Sequence, residues 1–210
     1  MSSFTNLGYE VVENALNKET CKLLDVQFEL LKKRTYYYDK INESNVSAFR
    51  DTQVENGFSV YSPLIFDSLL LHLQPTMERV TGKKLLPSYT YARIYYKDAD
   101  LKIHTDRPSC EYSATITLDI DKTPWEIFFK DFNGECKELV LNVGDMCAYQ
   151  GTKLEHWRDP YKEDRQSQVF IHYVDAEGEY KKHIYDRRDY LGLDPATLPA
   201  MPLPLLRGWK

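Results

Sequence analysis

The segment His104-Thr105-Asp106 puts an imidazole and a carboxylate two residues apart. On an extended backbone residues i and i+2 face the same side, so such a pair can hold one metal from adjacent positions. With 5 His and 17 Asp in 210 residues, the pattern arises about 0.4 times by chance and alone says little. Fifty residues after Asp106 comes His156, followed nine positions later by Arg165 and then by Ser167. That second arrangement has a chance expectation of only about 0.01. Arg165 and Ser167, again i and i+2, offer a charge-assisted fork and a hydroxyl to a small carboxylate such as that of a cosubstrate. Two imidazoles and one carboxylate on one face of a metal leave three positions open, the facial arrangement of non-haem Fe(II) sites that activate oxygen.

The remaining histidines fit structural roles. His72 lies among leucines and His183 in a charged tail, and a lone imidazole is seldom a ligand. Strict alternation from Arg165 turns 165, 167, 169, 171 and 173 inward and His172 away.

The elements that must position these groups are legible as two helices followed by strands. From Asn17 to Lys33, apolar residues recur at spacings of 3 and 4 and end in a Lys pair that suits a helix C-terminus. A polar stretch from Thr35 to Asn56 shows no sustained period and reads as irregular. A second helix is expected from Ser62 or Pro63 to about Val80, stopped by Thr81-Gly82. From Leu86 to Val174 the runs SYTYARIYY, EYSATITLDI, WEIFFKDF, KELVLNV, MCAYQG and QVFIHYVD are short and aromatic or β-branched, with turn signals at Asn133-Gly134 and Gly144-Asp145. With no long helical stretch between them, an antiparallel double-sheet jelly roll is expected, α+β overall but mainly β. The chain is read as a single domain: residues 1–85 a helical buttress with an irregular insert, 86–175 the core, and 176–210 a tail that is charged and then rich in proline.

At these residues the chain resembles the iron and 2-oxoglutarate-dependent oxygenases, specifically their prolyl-hydroxylase-like branch. The resemblance runs from about Ser88 to Val174 and rests on RIYY before His104-x-Asp106, the GDMCAYQG segment, and His156 with Pro160 and Arg165. It implies a cupin-like double-stranded β-helix buttressed by the N-terminal helices. It also implies Fe(II) held by His104, Asp106 and His156, with 2-oxoglutarate and molecular oxygen as cosubstrates. Arg165, helped by Ser167, would bind the distal carboxylate of 2-oxoglutarate, and Tyr95 would be a second contact. The implied reaction hydroxylates an unactivated C–H of a protein residue, an amino acid or a small metabolite, releasing succinate and carbon dioxide. Halogenating relatives replace the carboxylate ligand by a small residue, so Asp106 favours hydroxylation. Where many chains of the branch have glycine after the first strand, Tyr96-Lys97-Asp98-Ala99-Asp100 stands here.

Arg107, Trp157 and Arg158 follow directly on the candidate ligands and are expected at the mouth of the site, suited to an anionic or planar substrate. Arg107 equally suits a hydrogen bond that orients a ligand carboxylate. Thr117, on the strand after the motif, can turn its hydroxyl to the cosubstrate. Two other readings stay open, a cupin-like metal dioxygenase or isomerase without 2-oxoglutarate and a jelly-roll binding module without catalysis.

The rest of the composition bounds the partners. A net charge of −5 gives no basic field for a nucleic-acid backbone. No run of about 18 apolar residues suggests a membrane span, and the N-terminus has neither the charged nor the apolar region of a secretory signal, so a cytoplasmic protein is expected, monomeric or homodimeric. Cys21, Cys110, Cys136 and Cys147 form no C-x-x-C pair and read as free thiols.

Overall fold

The computed structural model describes residues 3–42 and 53–192. A short helix α1 (Ser3–Leu7) and strand β1 (Tyr9–Val12) precede the long helix α2 (Lys18–Asn42). The side chain of Asn17 caps α2 by accepting the Thr20 N–H at 2.8 Å. Cys21, Leu24 and Phe28, at spacings of 3 and 4, are its buried face. α2 does not stop at Lys33: the Thr35 hydroxyl bonds back to the Leu31 carbonyl and Tyr36 lies against Phe58, so part of the stretch expected to be irregular continues the helix. Strand β2 (Gly57–Tyr61) leads to helix α3 (Leu64–Thr81). Gly82, at a φ of 67°, ends α3 by donating to the Glu78 carbonyl, the left-handed cap that glycine adopts without Cβ strain.

Eight strands follow: β3 (Leu85–Tyr96), β4 (Leu101–His104), β5 (Tyr112–Ile120), β6 (Ile127–Lys130), β7 (Cys136–Leu139), β8 (Met146–Tyr149), β9 (His156–Arg158) and β10 (Arg165–Asp175). They form two antiparallel sheets, one ordered β1-β8-β5-β10-β3-β2 and the other β4-β9-β6-β7. Apart from the β6–β7 hairpin, successive strands from β3 onward alternate between the sheets, the winding of a double-stranded β-helix.

The six-stranded sheet has two unlike faces. Ala92 and Ile94 of β3, Ala114, Ile116 and Leu118 of β5, Met146 and Ala148 of β8, and Val169, Ile171 and Tyr173 of β10 join the helices in the main hydrophobic cluster. Their strand neighbours, one residue out of phase, face the second sheet across the barrel. β10 pairs with both β3 and β5 along nearly its whole length, so its alternation decides what enters the barrel.

After β10 the chain turns back over the barrel end through a 3₁₀ segment (Lys181–Arg187). Tyr185, Asp186 and Arg187 hold φ values of 55°, 50° and 69°, a run of three left-handed residues costing of order 1–3 kcal/mol each. Two ionic contacts retain it. Asp186 accepts from Arg107 at 2.6 and 2.8 Å and from Ser109 and Tyr61 at 2.7 Å. Arg188 meets the buried Asp67 of α3 at 2.9 Å, and Asp67 also accepts from Ser62, Thr90 and the Gly192 N–H. The tail therefore crosses the domain as far as Gly192; its prolines from Pro195 onward lie outside the described residues. Asp67→Ala strips a buried guanidinium of its carboxylate and should destabilise the fold by about 3–5 kcal/mol, measured as a lowered urea midpoint at constant slope.

Candidate metal centre

β4 ends and β9 begins at the same level of the four-stranded sheet, and His104 and His156 are cross-strand partners. Their rings lie 4.3 Å apart between centroids. Asp106 follows β4 by two residues, held by its own N–H on the Gly151 carbonyl at 2.8 Å. Its Oδ1 is 3.7 Å from Nε2 of each histidine, and the three candidate ligand atoms lie within 4.8 Å of one another.

The imidazoles are oriented by backbone carbonyls. His104 Nδ1 donates to the Lys102 carbonyl at 2.8 Å and His156 Nδ1 to that of Leu154 at 3.0 Å. With the proton on Nδ1, each Nε2 carries its lone pair toward the gap beside Asp106, as ligation requires. His156 is buried between Phe129 and Tyr149, and this burial, outweighing the nearby Asp106 carboxylate, holds its pKa below the ordinary value. Two neighbours set the position of Asp106. The Ser113 hydroxyl donates to Oδ2 at 3.3 Å, and Gly151 approaches so closely that a Cβ there would lie 2.5 Å from Oδ2 and 2.3 Å from the Cys110 carbonyl. Neither residue was singled out by spacing, although the glycine after the strand MCAYQ marks such a close approach.

The three groups open on a cavity of about 270 Å³ between the sheets. Leu101, Ile127 and Tyr149 form its wall beside them, and the six-stranded sheet contributes Tyr89, Tyr91, Arg93, Phe170 and His172.

β10 has the opposite phase from that expected, and this moves three residues. Arg165 and Ser167 face α2, where Arg165 meets Asp25 at 2.5 Å, Asp119 at 2.6 Å and Glu29 at 3.1 Å, while the Ser167 hydroxyl donates to Asp25 at 2.6 Å. They do not line the cavity. Gln166, Gln168, Phe170 and His172 face inward instead, and His172, expected to point away, is on the cavity wall. The odd-numbered set Val169, Ile171 and Tyr173 is the apolar one and must pack under the helices, which assigns the even set to the barrel. A one-residue error in phase exchanges every side chain between faces.

The same rule corrects two more positions. His156 and Arg158 point inward, so Trp157 turns outward and stacks on Phe128 at 5.5 Å, and Arg158 is buried at 2% exposure; neither stands at the mouth. Arg107 is beside the site but committed to Asp186, with its guanidinium over the Tyr89 ring at 4.4 Å. Burial alone would raise the Asp186 carboxyl, yet Arg107, Tyr61 and Ser109 hold it well below the usual range. Tyr95 is buried on the barrel side, its hydroxyl accepting from Arg93 at 3.0 Å. Thr117 also faces inward but bonds to Gln168 and the Leu141 carbonyl.

His172 belongs to a second group, with Asp106 and Cys110, whose donor atoms fall within 4.8 Å. Its Nδ1 is 2.8 Å from the Ser113 hydroxyl and its ring stacks on Tyr89 at 4.4 Å. Cys110 is a buried free thiol 3.1 Å from the Tyr89 hydroxyl.

No family model matches the chain, and no curated protein does. Solved structures do. The carbocyclase SnoK of nogalamycin biosynthesis, described as non-haem and α-ketoglutarate-dependent, matches with TM-score 0.65 at 12% identity over 82% of this chain and 81% of that one. HygX from Streptomyces hygroscopicus, solved with nickel and 2-oxoglutarate bound, matches with TM-score 0.62 at 12% identity over 83% and 85%. A prolyl-4-hydroxylase from Pseudomonas putida matches with TM-score 0.58 at 12% identity over 80% and 94%. The fold shared with these structures is the double-stranded β-helix. The jelly roll expected from the strand pattern, and the helical buttress that the resemblance implies, are therefore present.

Burial lowers the His172 pKa to about 4, with Asp106 opposing, whereas an unfolded histidine titrates near 6.5. Between these values the unfolded chain binds a proton that the native one does not, so acid favours unfolding. The metal-free protein should lose up to about 3 kcal/mol from this group as pH falls from 6.5 to 4, and His172→Gln should flatten that part of a urea-unfolding pH profile.

Proposed function

We propose that this chain is an Fe(II)- and 2-oxoglutarate-dependent oxygenase that hydroxylates an unactivated C–H of a small-molecule or peptide substrate. One observation carries the reading: two imidazole Nε2 atoms with fixed tautomers and one carboxylate oxygen converge within 4.8 Å on the wall of a cavity. Nitrogen and carboxylate donors of this kind, set on one face, suit Fe(II) with exchangeable positions left over. When bound, Fe(II) couples the oxidative decarboxylation of 2-oxoglutarate by O2, to succinate and carbon dioxide, to the conversion of a substrate C–H into C–OH.

The chain's own residues do the positioning. His104, Asp106 and His156 would hold the metal; the carbonyls of Lys102 and Leu154 accept from each Nδ1 and so turn each Nε2 toward the gap beside Asp106; Ser113 and Gly151 fix the carboxylate. Phe129 and Tyr149 close over His156 and keep bulk water from that side. Tyr89, Tyr91 and Phe170 give the substrate an aromatic approach from the facing sheet. The carboxylate in the third position supports hydroxylation. The four cysteines are unpaired, which supports a cytoplasmic, reducing location. Among the described residues no helix is long and apolar enough to cross a membrane.

Anaerobic addition of 2-oxoglutarate to the Fe(II)-loaded protein should produce a saturable visible charge-transfer band. His104→Ala, Asp106→Ala and His156→Ala should each weaken Fe(II) binding by at least tenfold, and oxygen with a substrate should yield succinate one for one with hydroxylated product. Retained iron without a band would instead favour a metal dioxygenase or isomerase that uses no 2-oxoglutarate, and no retained iron would favour a binding module.

A further inference from the structure

With Arg165 engaged on the helix face, the buried cation beyond His156 needs another explanation. Arg158 lies two residues beyond His156 on the same face of β9 and directly opposite Leu101, a wall of the cavity. Its Nη1 donates to the carbonyls of Trp125 at 2.5 Å and Glu126 at 3.2 Å, and the guanidinium stacks over the Trp125 ring at 5.0 Å. Among the described residues, Nε and Nη2 have no hydrogen-bond partner and no carboxylate comes within ion-pair distance. A buried guanidinium in this state is a costly arrangement unless an anion completes it.

A second incomplete donor stands across the barrel. Gln166, the first inward residue of β10, accepts the Trp125 N–H at 3.1 Å through Oε1 and leaves its buried Nε2 without a partner among the described residues. Arg158 and Gln166 thus grip the same Trp125 backbone from the two sheets, and three N–H-bearing atoms remain unsatisfied around it. Tyr95 sits against this tryptophan, edge to face at 4.9 Å. Arg93, the arginine that lines the cavity itself, already bonds to Tyr95 and to Gln53, both at 3.0 Å. From His156 to Arg158 the strand advances about 6.6 Å, close to the span of a five-carbon dicarboxylate.

We propose that Arg158, assisted by Gln166, is the anion anchor of the centre, binding the distal carboxylate of a dicarboxylate cosubstrate whose other end faces His104, Asp106 and His156. The assignment rests on the oxygenase reading and replaces Arg165 in this role. A planar guanidinium with two free N–H groups matches a carboxylate in the two-bond mode, and the amide of Gln166 adds a third bond without adding charge.

The test is an anaerobic titration of the Fe(II)-loaded protein with 2-oxoglutarate, read by the charge-transfer band and by calorimetry, beside 2-oxobutyrate, which lacks the distal carboxylate. Arg158→Gln should raise the 2-oxoglutarate requirement at least thirtyfold while changing that for 2-oxobutyrate less than threefold. Because an arginine this buried also contributes to folding, Gln166→Glu serves as the second variant. Its carboxylate would complete Arg158 from within, so the melting temperature should hold or rise while 2-oxoglutarate binding falls by at least thirtyfold. Arg165→Gln and Arg93→Gln should each change the 2-oxoglutarate requirement less than threefold. Folded, iron-loaded Gln166→Glu that binds 2-oxoglutarate like the parent, or loss of binding confined to Arg93→Gln, would overturn the anchor and leave the oxygenase reading standing. A parent protein that holds iron yet binds neither oxoacid would overturn both.

Discussion

The two-residue alternation of β10 is the constraint on which the rest of the molecule depends. This strand lies between β3 and β5 in the six-stranded sheet, with helices on one side and the second sheet on the other. Each of its side chains is committed to one of two environments that tolerate opposite chemistry. Val169, Ile171 and Tyr173 seal the helices onto the sheet, and Gln168, Phe170 and His172 furnish the barrel. Because the partner strands obey the same period, the inward residues Tyr89, Tyr91, Arg93 and Tyr95 of β3 and Ser113, Thr115 and Thr117 of β5 fall into step with them. A polar, aromatic interior follows from the requirement that the other face be dry and aliphatic.

Three arginines illustrate how the environment sets the role of one side chain. Arg165, at the edge of the helix face, is surrounded by three carboxylates and is part of the joint between α2 and the sheet. Arg188 is buried with one carboxylate and closes the tail onto α3. Arg158 is buried with backbone carbonyls and, among the described residues, no counter-charge within ion-pair distance. A side chain that must be both buried and charged finds its partner within the chain, as the first two do, or leaves room for one from outside.

Much of this is legible in the sequence. His-x-Asp and the distant histidine are local patterns of types and spacings, and they converge because a jelly roll brings the end of β4 beside the start of β9. The two helices announced themselves through apolar spacing and the Gly82 stop. What failed was phase. Arg165 and Ser167 look like a carboxylate cradle by type, and deciding which face of β10 they occupy required weighing the aliphatic odd set against the polar even set. His172 falls with them, since the same alternation turns it away from the barrel. Gly151 and Ser113 carry no local signal, because each acts only through the approach of distant segments, which no single stretch of sequence encodes. Thr35 to Asn42 lack a sustained period and so suggest irregular structure, although one face of a helix packed on a sheet needs only a few apolar contacts such as Tyr36 on Phe58.

Asp186 reaches back to the residue that follows the candidate carboxylate ligand, and this has a consequence for the order in which the centre can be assembled. A ribosome releases His104 and Asp106 long before His156, and the strap that fixes Arg107 emerges last of all the described parts. A chain cut short before Asp186 would carry every candidate ligand and still lack the counter-ion that holds the loop after Asp106. Three adjacent left-handed residues, each unfavourable alone, are retained in the finished protein by that one carboxylate and by the neighbouring Arg188–Asp67 contact. The strap thus ties the loop after Asp106 to a segment some eighty residues later, so that the mouth takes this form only once the chain through Gly192 has been made and folded back.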